Sequence, residues 1–219
     1  MFIGHFGVGF GSKAAAPRVS LGTLILAAQF VDLLWPIFLL LGLESVRIDP
    51  GNTAVTPLDF VAYPFTHSLL TGLGWGLLLG LAYFALRRSG RAAFVVGVAV
   101  VSHWVLDWIS HRPDMPLYPG GPKVGLGLWN SVAGTVAVEA AIFIVGVALY
   151  LQVTRARDRI GHWALWSLVA LLALSYAASL TSPPPPSSRA LAWFGLGAWL
   201  FVPWGYWIDR HREVRAAAP

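Results

Sequence analysis

In the stretch SHWVLDWISHRPDMP, residues 102–116, His103, Asp107 and His111 recur at steps of four. On a helix, positions i and i+4 share a face with Cβ atoms about 6 Å apart. His103 and Asp107 can therefore ligate one cation, or Asp107 can orient the His103 imidazole from behind. His111, next to Arg112 and Pro113, reads as a solvated loop histidine that could extend the stripe, since helix is disfavoured just before proline. The chain has no cysteine, which excludes disulfides, thiolate metal sites, iron–sulfur clusters and a Cys nucleophile. Any metal must then be held by His, Asp, Glu or backbone oxygen, a set that suits zinc or a similar divalent cation.

Three more ionisable residues interrupt apolar runs: Asp32 in FVDLLW, His67 in FTHSLL and Glu139 in VAVEAAIF. At the centre of a membrane span such a group costs about 2.5–3.5 kcal/mol, so each needs a partner or a function. Counting about 1.5 Å per residue from the outward end of each span puts Asp32, His67, His103, Asp107 and Glu139 at depths of roughly 5–16 Å. Four unconnected stretches thus bring imidazoles and carboxylates to one layer, as a shared site requires. His67, His103, Asp107 and Asp32 are the candidate ligands, and Asp32 or Glu139 the candidate proton acceptor. Structural readings stand beside these: His67 as a packing hydrogen bonder with Thr66 and Ser68, Asp32 and Glu139 as paired carboxylates. His5 sits in GHFGVGFG, whose glycines suit a tightly packed or re-entrant segment that could reach the same layer.

The elements that would position these groups follow from composition. With 57% apolar and 11% charged residues, the 219-residue chain belongs among polytopic membrane proteins. About twenty apolar residues cross a bilayer, and six windows reach that length: 19–43, 58–86, 92–110, 128–151, 162–180 and 190–208. The expected fold is an all-α bundle of about six transmembrane helices, one integral membrane domain over residues 1–219. Clusters around Lys13 and Arg18, Arg87 to Arg91, Arg155 to Arg159 and Arg210 to Arg215 fall in alternate connections, hence on one side, which predicts both termini in the cytoplasm. The net charge of +5 is spent in these short loops, a pattern that argues against nucleic-acid binding. The first residues lack the order of a signal peptide, so the run after Arg18 is expected to be an uncleaved span. Thr56 and Pro57 read as N-cap and first residue of the second helix, Pro36 and Pro64 as kinks within spans, and TSPPPPSS (181–188) as an extended linker. No internal repeat of the transporter kind is visible.

At GH (4–5), Asp32, THSLL (66–70) and SHWVLD (102–107), the chain resembles the YdjM-like family of bacterial integral membrane proteins, described as inner-membrane metal-dependent hydrolases. The motifs lie in the first 130 residues, and residues 131–219 add further helices and a short basic tail. The resemblance implies an inner-membrane location and a metal site of His5, Asp32, His67, His103 and Asp107. The chain departs from it in having Asp32 alone where a doubled acidic motif is common, and YPF before the Thr-His-Ser, which weighs against a two-metal site. The Pro- and Gly-rich loop 111–131 reads as an ordered external cap over the site.

The leading expectation is a membrane-embedded hydrolase with a divalent metal, zinc or manganese, acting on a lipid-like ester or phosphoester or another small amphiphile that enters from the membrane lipids. Two alternatives remain. One is a haem held axially by His67 and His103. The other is a non-enzymatic role as ion or proton path, transporter or scaffold. Composition and spacing give no oligomeric state.

Overall fold

The computed structural model describes residues 1–215; the last four residues of the expected single domain lie outside them. The chain is an all-α polytopic bundle. Its helices are α1 (Ile3–Ala15), α2 (Leu21–Ala28), α3 (Phe30–Leu40), α4 (Leu69–Arg87), α5 (Gly90–Ser110), α6 (Val132–Val153), α7 (Arg159–Ser179), α8 (Ser188–Gly195) and α9 (Phe201–Arg210). Five stretches are long and apolar enough to cross a membrane: α4, α5, α6, α7 and the run Ser188–Arg210, in which a 3-10 segment joins α8 to α9. The pair α2 and α3, bent by 55° at Gln29, makes a sixth. Exposed Leu70, Leu73, Leu77 and Leu81 on α4, Phe94 on α5, Ile144 on α6 and Leu174 on α7 form an apolar jacket that only lipid would solvate well.

Local chemistry explains the helix starts. Ser20, Ser68, Ser89, Ser131, Asp158 and Ser187 each accept a hydrogen bond from a backbone N–H of the first turn. Helix α1 has no such residue. Instead Glu139, reaching from α6, accepts the N–H groups of Phe2 at 2.8 Å and Gly4 at 3.0 Å. Its 13 residues span only about 20 Å, too short to cross the hydrocarbon core. It is buried between α6, α2 and α5. Glycine permits this: a Cβ on Gly7 would stand 2.6 Å from the Ile142 carbonyl oxygen, and one on Gly146 would strike the Gly7 carbonyl.

Two expectations need correction. The window 58–86 is not one helix: Leu58–Ala62 is strand β2, paired antiparallel with β1 (Ser45–Ile48). Pro57 therefore precedes a strand, Ser68 caps α4, and Pro64 lies in the connection rather than in a kinked span. Aromatic and β-branched residues in LDFVAY suit a strand as well as a span, and the hairpin decides between them. The window 19–43 is likewise two short helices with a break.

Small two-stranded ladders close both ends. At the end opposite the basic clusters, β3 (Met115–Pro116) pairs with β4 (Lys123–Val124) beside the β1–β2 hairpin. At the basic end, β5 (Thr154–Ala156) pairs with β6 (Arg212–Val214). There Asp209 of α9 binds Lys13 at 2.6 Å, the Leu21 N–H at 2.6 Å and the Tyr150 hydroxyl at 2.8 Å. Lys13 also donates to the Val19 carbonyl at 2.7 Å, so the turn from α1 to α2 is clamped by the last helix. Against it Gly22 and Gly205 touch backbone to backbone. The main apolar core, with Phe6, Phe10, Leu21, Ile25, Phe143 and Leu165, fills the space between these ends.

Candidate metal centre

The break at Gln29 positions two ligands at once. It turns the Ala28 carbonyl, at the end of α2, toward α5, where His103 Nδ1–H donates to it at 2.8 Å. A carbonyl only accepts, so His103 carries a proton on Nδ1 and turns Nε2 into the bundle. That Nε2 is buried and has no hydrogen-bond partner. The same break starts α3 two residues before Asp32, in the helix's first turn, where a carboxylate is favoured.

His67 enters from the connection before α4. Its Nδ1 lies 2.6 Å from Thr66 Oγ1, and Thr66 donates its hydroxyl proton to Glu44 Oε2 at 2.7 Å. Its Nε2 faces inward, 3.3 Å from Asp32 Oδ1 and 3.7 Å from Asp107 Oδ2. His103 Nε2 closes the figure at 3.4 Å from Asp32 Oδ1 and 3.2 Å from Asp107 Oδ2. Imidazole and carboxylate alternate around this ring. Its edges sit near the roughly 3.3 Å ligand separation of a tetrahedral zinc ion bound at about 2.0–2.1 Å. By donor type and by these spacings the residues suit a divalent cation.

Helix α1 completes the cluster from the fourth side. His5 Nε2 lies 3.1 Å from Asp107 Oδ1, its ring stacks on His103, and the Met1 nitrogen also binds Asp107. Two overlapping triads with mutual spacings a metal could bridge result: His5, His103 and Asp107, and Asp32, His67 and His103. Of the six residues singled out in sequence, five converge. Glu139 shares their level, but its Oε2 is occupied in capping α1. Asp32 is the one ligand candidate with a substantially open side chain, 34% exposed, whereas those of His5, His67, His103 and Asp107 are at 4% or less.

Above the cluster lies a second polar network. His111 is buried, not solvated as its sequence context suggested: the 111–131 loop folds back and Trp129 and Phe60 pack on its ring, centroids 4.1 and 4.7 Å away. His111 Nδ1–H donates to Asp114 Oδ1 at 2.9 Å, the Tyr63 hydroxyl donates to the same oxygen at 3.0 Å, and Arg112 reaches Asp114 and Asp59. Burial holds the His111 pKa below the usual histidine value, outweighing the pull of Asp114. Burial works the other way on Asp114, yet the hydrogen bonds from His111, Tyr63 and Arg112 keep its carboxyl below the ordinary range. Burial and the Asp114 charge both raise the Tyr63 phenol, which stays protonated.

The profile of the YdjM inner membrane protein family matches residues 4–183, more than four-fifths of the chain. The chain belongs to the YdjM inner membrane protein family. It is accordingly a multi-pass inner membrane protein, in keeping with its five or six spans. The match runs past the first 130 residues that carry the quoted motifs and takes in α6, which caps α1, and α7. No curated protein and no solved structure matches the chain.

Two residues of this YdjM-family site were not recognised from sequence as part of it. Glu44 reads as one more loop charge after a span, and Thr66 as a packing hydroxyl. Only the β1–β2 hairpin brings Glu44 back to the residue before His67, where its Oε1 also accepts the N–H groups of Phe65 at 2.8 Å and Thr66 at 2.9 Å.

Proposed function

We propose that the chain is a membrane-embedded metal-dependent hydrolase in which His67, His103 and Asp107 hold one divalent cation, zinc or manganese, and Asp32 stands beside the position left for water. The observation that carries this reading is the buried, unpartnered Nε2 of His103, aimed into a ring of carboxylate oxygens by a hydrogen bond on its other nitrogen. Two carboxylates crowded onto one buried nitrogen need positive charge among them, which a bound cation would supply. When bound, such an ion lowers the pKa of a water and polarises a carbonyl or phosphoryl oxygen.

The chain's own groups supply the rest. His5 holds Asp107 through Oδ1 and leaves Oδ2 for the ring. Asp32, the open member, is the residue placed to take a proton from the attacking water. Glu139 serves by seating α1, and with it His5. The positive-inside rule places the basic end in the cytoplasm and the site toward the outer leaflet. A lipid-like ester or phosphoester is the substrate class suited to a site at that level within an apolar jacket. The 5.5 Å spacing of the His67 and His103 rings, with both carboxylates between their nitrogens, favours a small ion over a haem.

The test is metal analysis of purified wild-type protein, His103→Ala and Asp107→Ala, alongside assays on lipid and water-soluble esters. One zinc or manganese per chain, lost in both variants, with hydrolysis of the lipid ester, is expected. A metal-free wild type whose melting temperature ignores added zinc and manganese overturns the reading and leaves a structural polar network.

A further inference from the structure

We infer that Glu44 and Thr66 are positioning residues that fix the tautomer of His67, so that a carboxylate–hydroxyl–imidazole relay sets the ion affinity of the centre. The inference rests on the proposed ion site and goes beyond it in naming what tunes one ligand. Thr66 has a single hydroxyl proton. Glu44 Oε2, at 2.7 Å, takes it, since an ionised carboxylate offers no proton in return. The Thr66 oxygen, 2.6 Å from His67 Nδ1, must then accept from that ring nitrogen. His67 Nδ1 is thereby held as N–H, and Nε2, which faces Asp32 and Asp107, is left as the nitrogen that an ion would take. A histidine that ligates metal commonly donates its other N–H to a carboxylate. Here a threonine is interposed, and the carboxylate comes from the far side of the hairpin.

Burial makes the relay specific. Glu44, Thr66 and His67 are exposed by 3%, 1% and 4%, so water does not compete for these bonds. Glu44 also grips the backbone of Phe65 and Thr66, which holds the segment before His67 in one conformation.

The experiment uses the full chain in detergent, with zinc as probe, in wild type, Thr66→Val, Thr66→Ser and Glu44→Gln. Zinc affinity is measured by chelator competition, and the His67 tautomer by nitrogen NMR of 15N-histidine-labelled protein without metal. Thr66→Val removes the hydroxyl at nearly constant shape and is expected to weaken zinc binding about 10–100-fold at unchanged stoichiometry. Thr66→Ser restores it. Glu44→Gln can donate an amide proton to Thr66, free the hydroxyl to point at His67 Nδ1 and drive the ring toward Nε2–H, the form that cannot ligate through Nε2. A purely structural Glu44 would lower the melting temperature without moving the tautomer. If His67 keeps Nδ1–H in both Thr66→Val and Glu44→Gln, the inference falls, whether or not zinc binds. If the tautomer shifts as expected but wild type binds no zinc, the hydrogen-bond relay stands, while its role in setting ion affinity falls with the proposed ion site.

Discussion

The imidazoles of His5 and His103 lie face to face, 3.6 Å between centroids and 4° from parallel. One comes from a short buried helix, the other from a membrane span, and both contact Asp107, on opposite oxygens. The stack makes α1 a wall of the site rather than a tail beside it.

In the proposed centre His5 would act on the ion through Asp107. His5→Ala is expected to keep one zinc per chain with affinity reduced about 10–100-fold, whereas His103→Ala abolishes binding. His5→Phe should recover stability by restoring a flat ring over His103, but not affinity. Zinc titration and thermal unfolding of the three variants check this; a His5→Ala protein as empty as His103→Ala would make His5 a direct ligand.

The seat of α1 depends on bare backbone. Gly146→Ala is expected to push α1 off α6, lower the melting temperature and weaken zinc binding together, because the new Cβ meets the Gly7 carbonyl. Gly11→Ala is the control. Its Cβ would find ordinary contacts at 3.5 Å, so both properties should stay near wild type. Equal behaviour of the two variants contradicts the packing account.

The outer cap is expected to loosen in acid. Burial depresses the His111 pKa, so the folded cap favours the neutral ring, and its contribution is complete above the unfolded value of about 6.5 and lost as pH falls below it. Asp114 is depressed too; its contribution is present above the ordinary carboxylate value and disappears as pH falls through the lower folded one. Both signs agree. Amide exchange across residues 111–131 should therefore speed up in two stages, below about pH 6.5 and again below about pH 4. Asp114→Asn should remove the second stage and cost about 1–3 kcal/mol at neutral pH. Exchange that is flat from pH 7 to 4 contradicts this.

The number of spans and the polar layer were legible because both depend on long-range averages: twenty-residue apolarity, and the rarity of charge within it. What escaped depended on single contacts. LDFVAY has the same composition whether it crosses a membrane or pairs with Ser45–Ile48, and its partner lies across a nine-residue loop that holds Pro, Gly and Asn. The glycines of α1 argue against helix by propensity, yet close approach to α6 requires the one at Gly7. His111 looked solvated because its neighbours are polar; Trp129, eighteen residues on, buries it. Glu44 carried no motif at all. Its role is created by the hairpin that returns Thr66 to it.

The clamp at Asp209 bears on biogenesis. Lys13 and the Leu21 N–H, at either side of the first turn, find their acceptor on the ninth helix. Until ribosome and insertion machinery have delivered that helix, the turn from α1 to α2 lacks this clamp. The proposed centre, whose residues all come from the first half of the polypeptide, is therefore expected to be completed late.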